Sequence, residues 1–202
     1  MALDDDIALV REALRRPASP SSDYDLNLGI DLPLHRKLRP AAVLVALLPV
    51  DGAWHVLLTK RSSKLRHHPG QIAFPGGKFD PEDPTPEACA TREAHEEIGL
   101  LPSSVQVLGQ LMPHETVTNY HVTPVVARVE APFEPVSQEA EVAEVFTVPL
   151  SMLTDPSQFR VEGRRWQGRR RYYFAVPYGP YYIWGATARM LKGLADRVQA
   201  CR

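Results

Sequence analysis

The chain has 202 residues, with 23 Lys and Arg against 24 Asp and Glu, a formal charge of −1 and seven histidines. With 44% hydrophobic and 23% charged residues the composition is that of a globular domain, which excludes wholesale disorder. No apolar run approaches the ~20 residues that span a bilayer, and near-zero net charge supplies no global field for nucleic acid. The acidic start MALDDDIALV lacks the basic flank of a signal peptide, and Cys89 and Cys201 make neither a disulfide framework nor a zinc site by spacing. The expectation is a cytoplasmic protein with no membrane or nucleic-acid partner.

Taken in order, residues 4–15 read as a short amphipathic helix behind an acidic first turn, and Pro17 to Asp31 as an aperiodic connecting arm. Ala41 to Val50 (AAVLVALLPV) has the length and apolar content of a buried strand. Asp51-Gly52 signals a hairpin turn into Trp54–Thr59. A polar, basic loop follows from Lys60 to Gln71, then the apolar stretch 72–74, then Pro75-Gly76-Gly77. Pro86 opens a helix that runs to Ile98 and is capped by Gly99. Val105–Leu111, Val122–Val129, Glu144–Val148 and Arg169–Val176 are predicted strands, Leu150–Leu153 a helical turn, and Trp184–Val198 a terminal helix. Strands before, between and after helices make an α+β protein, a mixed sheet layered by helices.

A local reversal of charge carries the chemical information. From Lys60 to Lys78 there are five basic side chains, with His67 and His68, and no acid. From Asp80 to Glu97 there are seven carboxylates against one arginine, Arg92. Glu93, Glu96 and Glu97 lie at i, i+3 and i+4, so a helix puts them on one face, where they repel one another. Glu96 and Glu97 also stand at the helix C-terminus, where the dipole disfavours negative charge. Clustered hard oxygen ligands are what Mg²⁺ or Mn²⁺ takes, together with substrate phosphates. A solvated acidic face paired to Arg92 is the plainer alternative. Arg92 sits about 100° around the helix from Glu93, beside the cluster rather than within it. Gly76 and Gly77 allow close approach of backbone to the helix or to a phosphate.

The stretch from Gly77 through Asp83 to Arg92-Glu93-Ala94-His95-Glu96-Glu97-Ile98-Gly99-Leu100 resembles the Nudix box, GX5EX7REUXEEXGU with U aliphatic. It departs twice: Asp83 stands where Glu is usual, and one extra residue precedes Arg92, which implies a bulge before the helix. Upstream, Leu57 to Gly77 (LLTKRSSKLRHHPGQIAFPGG) is similar to the segment that marks the coenzyme A diphosphatase branch of that family. Further likeness lies in Thr123–Val126, around Glu141 and Phe146, and in Ile183–Ala188. The resemblance covers residues 36–192 and implies a domain from 35 to 202, preceded by a helix and arm over 1–34.

It also implies an α/β/α sandwich around a mixed sheet, and a metal-dependent hydrolase that cuts coenzyme A to 3′,5′-ADP and 4′-phosphopantetheine. On that basis Glu93, Glu96 and Glu97 are expected as Mg²⁺ or Mn²⁺ ligands, with Glu96 as a ligand or the base. Arg92 orients a glutamate, and Glu141 is an additional base or ligand. Arg61, Arg66 and Gln71, with Gly76 and Gly77, are expected to meet the substrate's phosphates. A small-molecule partner and a homodimer are the expected associations. The alternatives are another nucleoside diphosphate derivative such as NADH, an RNA-cap-directed hydrolase, and a binding module without catalysis. The basic run Arg164, Arg165, Arg169, Arg170 and Arg171 is read as a hairpin turned by Gly163 and Gly168, with its arginines in water.

Overall fold

In the computed structural model, a mixed sheet is covered by helices on both faces. It describes residues 2–27, 29–30, 36–65, 68–130, 133–166 and 168–202. In chain order the elements are α1 (Ala2–Arg15), β1 (Ser21–Ser22), β2 (Arg39–Val50), β3 (Ala53–Arg61), β4 (Ile72–Ala73), β5 (Gly76–Lys78), α2 (Pro86–Ile98), β6 (Val105–Gln110), β7 (His114–Glu115), β8 (Tyr120–Val129), β9 (Val142–Pro149), α3 (Leu150–Leu153), β10 (Arg160–Trp166), β11 (Arg169–Tyr178), β12 (Tyr181–Trp184) and α4 (Ala186–Gln199).

Strand β2 organises the sheet. It runs parallel to β8 over Arg39–Leu47, and on its other side pairs antiparallel first with β5 and then with β3. Two-sided burial explains why β2 is an unbroken apolar run rather than an alternating one. Ala42, Leu44 and Ala46 point into a core shared with Cys89, Ala90, Ala94 and Ile98 of α2. Val45 and Leu47 point into a second core built with α1, α3 and α4. The strand β9 extends the sheet beyond β3, and β6 pairs with β8.

Local chemistry fixes the ends of α2. Thr85 caps it by accepting the Ala88 N–H at 3.3 Å, Pro86 occupies its first turn, and Gly99 ends it at φ 74°. Small residues on its inner face let it lie close on β2 and β5.

Three expectations need correction. The arm is not wholly irregular, because Ser21 and Ser22 pair in parallel with His114 and Glu115. The terminal helix begins at Ala186, since Trp184 closes β12 and Gly185 breaks the chain at φ 65°, ψ −137°. Gly163 lies inside β10, paired with Tyr172, so the ribbon turns at Gly168. Helix α1 joins the larger core through Ile7, Val10 and Ala13. The buried Arg197 of α4 donates to the carbonyls of Ala13, Leu14 and Arg16 where α1 ends.

Candidate active site

The pairing of β5 with β2 sets Gly76 and Gly77 beneath the last two turns of α2. A Cβ on Gly77 would stand 2.5 Å from the Glu93 carboxylate, so only glycine admits that side chain. Gly76 adopts φ 153°, and its N–H donates to Glu97 Oε2 at 3.2 Å. The glutamates that share one helical face in sequence therefore meet different surroundings. Glu97 is 4% exposed. Glu93 is half-buried, and Glu96 is exposed.

The electrostatics follow from that burial. Desolvation pushes the Glu97 carboxyl up to about 7; Glu93 and Glu141 push the same way, against the Gly76 N–H and Arg61. Burial likewise raises Glu93, against Arg92, with Glu96 and Glu141 adding to the rise. Glu93, Glu97 and Glu141 thus form one field of mutually repelling carboxylates with Arg61 at its edge.

Arg92 reaches further than its place on the helix implied, because its long side chain meets groups both before the helix and one turn onward. Its Nε and Nη2 meet both oxygens of Asp83 at 3.1 and 2.7 Å. Its Nη1 donates to Glu93 Oε1 and to Glu96 Oε2, each at 3.1 Å, and Nη2 donates to the Lys78 carbonyl. One guanidinium therefore fixes the orientation of three carboxylates. Asp83 is held down at about 2 by that guanidinium, and Cys89 beside it is pushed up to about 12 by burial. The loop with the extra residue is tied by Asp83 N–H to the Asp80 carbonyl and Asp80 N–H to Asp83 Oδ2.

Glu141 arrives through contacts that spacing does not reveal. The C-terminal carbonyls of α2 accept N–H groups from the connection between β8 and β9, Ile98 from Val136 and Glu97 from Gln138. Gln138 turns the chain into Glu141, whose carbonyl accepts the Ser62 N–H. A register shift at Lys60/Arg61 re-aims the end of β3, and Arg61 and Gln71 bond through Arg61 N–H to the Gln71 carbonyl. Thr187 of α4 donates its hydroxyl to the Ile72 carbonyl at 3.1 Å, bracing the same segment from 115 residues away. Gln138 carries no signal in the sequence pattern, whereas Thr187 lies in the Ile183–Ala188 segment already marked by its likeness to the family. Arg66 and His67 lie outside the described residues; His68 is exposed at φ 54°.

Among the described residues, no three His, Cys, Asp or Glu side chains already stand as a preformed metal cluster. Arg92 engages Glu93 and Glu96, and the Gly76 N–H engages Glu97. The donor set still suits a hard divalent cation: three carboxylates within one helical turn and a fourth, Glu141, sharing their field. Among the described residues, no helix is long and apolar enough to cross a membrane.

A family model for the NUDIX domain matches residues 37–171. The chain belongs to the Nudix family. It is a Nudix pyrophosphohydrolase, and its α+β fold, a mixed sheet flanked by helices, is the fold of that family. It is 40% identical over 186 residues to a Nudix hydrolase NudL, described as uncharacterized, of Enterobacter sp. (strain 638), covering 87% of this chain and 96% of the relative. It is 37% identical over 201 residues to the protein of the same description from Photorhabdus laumondii subsp. laumondii, covering 98% and 99%. Among solved structures, a MutT/nudix family protein from Enterococcus faecalis aligns with TM-score 0.50 at 18% identity, covering 85% of this chain and 66% of that one.

Proposed function

We propose that this Nudix pyrophosphohydrolase cleaves the diphosphate of coenzyme A or its derivatives, giving 3′,5′-ADP and 4′-phosphopantetheine. The observation that carries the hydrolytic site is the buried Glu97 carboxylate, held in the repulsive field of Glu93 and Glu141 at the C-terminal end of a helix. A fold selected for stability alone would not concentrate negative charge there. The substrate assignment rests on the Leu57–Gly77 segment, which contributes most of β3, all of β4 and the start of β5, and whose Gly76 N–H meets that carboxylate.

Glu93, Glu97 and Glu96 are the proposed ligands of Mg²⁺ or Mn²⁺. Such a cation, when bound, neutralises charge on the diphosphate oxygens and acidifies water. The protein's own part is positional. Gly76 aims Glu97, and Gly77 admits Glu93. Arg92, itself held by Asp83, keeps Glu93 and Glu96 in fixed orientations. Glu96, the most exposed of the three, or Glu141 takes the proton from the attacking water. Arg61 and Arg66 hold the diphosphate as arginine favours, with two parallel N–H donors, and Gln71 adds a polar contact.

A panel of nucleoside diphosphate derivatives with Mg²⁺ or Mn²⁺, with products identified by mass, tests the reading. Coenzyme A is expected to be cut at its diphosphate with the highest kcat/KM of the panel. Preferential cleavage of NADH or of a capped RNA overturns the substrate assignment.

A further inference from the structure

Among the described residues, β9 pairs with β3 alone and so forms an edge of the sheet. Glu141 immediately precedes it. The ladder is interrupted there: Lys60 faces Glu144, Arg61 faces Val142, and Ala143 is left over. Such a bulge re-aims the side chains beside it and locally breaks the pairing. Backbone bonds hold the near side of the bulge, from the Ser62 N–H to the Glu141 carbonyl and from the Glu141 and Val142 N–H groups to the Gln138 carbonyl.

The far side of the bulge is gripped by a side chain from another element. Tyr181 of β12 stacks on Phe146, with ring centroids 3.6 Å apart and planes 9° from parallel. Its hydroxyl donates to Glu144 Oε1. All three side chains are half-buried, and a hydroxyl bonded to a carboxylate makes a charge-assisted contact. Both contacts fall on β9 just past Ala143.

The same corner of the molecule holds the opposite wall of the site. Strand β12 packs on β4 and ends at Trp184. Gly185 follows, and a Cβ there would lie 3.9 Å from the Gln71 amide nitrogen. Thr187 donates to the Ile72 carbonyl at 3.1 Å. From Ile72 the chain runs through β4 to Gly76, whose N–H aims Glu97. The span from Tyr181 to Thr187 therefore touches both the strand that follows Glu141 and the segment that aims Glu97. The charge of Glu141 acts on Glu93 and on Glu97, and such coupling depends on separation.

We propose that Tyr181 is a positioning residue for the hydrolytic site: by holding β9 at Glu144 and Phe146, it sets the placement of Glu141 against Glu93 and Glu97. It acts through Glu141 and touches neither substrate nor metal. The proposal rests on the reading of Glu141 as a base or ligand given above.

The neighbouring Tyr182 supplies a matched control. It lies on the other face of β12 and donates to Glu162 Oε2 of the ribbon at 2.6 Å. The two tyrosines make the same kind of bond, one toward β9 and one away from it.

The test compares Y181F and Y182F, each of which keeps its ring and loses one hydroxyl-to-carboxylate bond. Coenzyme A hydrolysis is followed at saturating Mg²⁺, and Mn²⁺ binding is measured calorimetrically. Y181F is expected to lower kcat about tenfold if Glu141 is the base, short of the 10²–10⁴ of losing a general base outright. If Glu141 is a ligand, Mn²⁺ affinity is expected to fall about tenfold, the lower end of losing a ligand's supporting partner. KM is expected to change less than twofold. Y182F is expected to stay within twofold of wild type in every quantity, with a melting temperature matching that of Y181F. In an E141Q background, adding Y181F is expected to cost less than a further twofold.

Wild-type kcat and Mn²⁺ affinity in Y181F overturn the proposal, as does equal impairment in Y182F, which marks general loosening. Losses that multiply in E141Q/Y181F also overturn it, because Tyr181 would then act by another route. If E141Q alone matches wild type, the role of Glu141 fails and the proposal falls with it. If wild type cuts another diphosphate of the panel in place of coenzyme A, the substrate assignment alone fails, and the same comparison on that diphosphate decides the role of Tyr181.

Discussion

Like charge is crowded twice in this molecule, with opposite sign and opposite treatment. On α2, carboxylates are drawn inward: Glu97 is buried on a backbone N–H, and Glu93 and Glu96 are clamped by Arg92. On the β10–β11 ribbon, Arg164, Arg165, Arg169 and Arg170 are exposed, and Arg165 stands across the register from Arg170. Buried charge is costly unless held, so the helix must be organised before anything binds. Exposed charge is screened and cheap, so the ribbon needs no such organisation. The first arrangement suits chemistry, where geometry must be fixed in advance.

The largest effect is expected where the buried side is broken. Glu97→Gln keeps an acceptor for the Gly76 N–H and removes the charge, so turnover should fall by about 10²–10³-fold, the scale of losing a principal electrostatic group. The far-ultraviolet spectrum should be unchanged. Near-normal kcat in that variant would remove Glu97 from the metal-ligand set. Burial, rather than the exposure that an acidic helix face implied, makes Gln and not Ala the informative replacement.

Arg92→Ala should cost stability as well as rate. It leaves the Asp83 carboxylate, 5% exposed, without its ion-pair partner. Because the guanidinium is itself 30% exposed, the loss should lie below the 3–5 kcal/mol of a fully buried pair, at roughly 2–3 kcal/mol. A denaturant midpoint unmoved by this change would show that the clamp does not hold the loop before α2.

A pH titration of the metal-free protein sharpens the contrast. A carboxyl whose folded value is raised to about 7 from 4.5 binds more protons folded than unfolded across that interval. Stability from this group is therefore present below about 4.5 and lost as pH rises through 7, by at most roughly 3 kcal/mol. Glu97→Gln should flatten that slope, and Mg²⁺ should restore stability above pH 7 in wild type but not in the variant. Equal slopes in the two proteins would place the ionisation elsewhere.

The smallest effect belongs to the ribbon. Arg165→Thr removes one cross-strand repulsion and should raise stability by a few tenths of a kcal/mol, within the range of cross-strand pairs. A clear drop in melting temperature would mean that Arg165 is packed rather than solvated.

Much of the fold was legible residue by residue. The run Ala41–Val50, the Asp51-Gly52 turn and the Pro86–Gly99 helix all fall where local preference puts them, because each is fixed by neighbours in sequence. The elements that were not foreseen are those made by distant partners. Ser21–Ser22 is a strand only because β7 lies beside it. Trp184 ends a strand rather than starting a helix because Gly185 takes a conformation open to glycine, its N–H bonded to the Phe174 carbonyl.

The site divides in the same way. Its residue types and their i, i+3, i+4 spacing were set by the sequence, since a helix converts spacing into a shared face. Which carboxylate is buried, which is clamped and which meets solvent was decided by β5, the Asp83 loop and the connection between β8 and β9. Those contacts join positions from 9 to 41 residues apart on the chain, and burial and electrostatic coupling depend on distance in space. No pattern along one strand or helix encodes that distance.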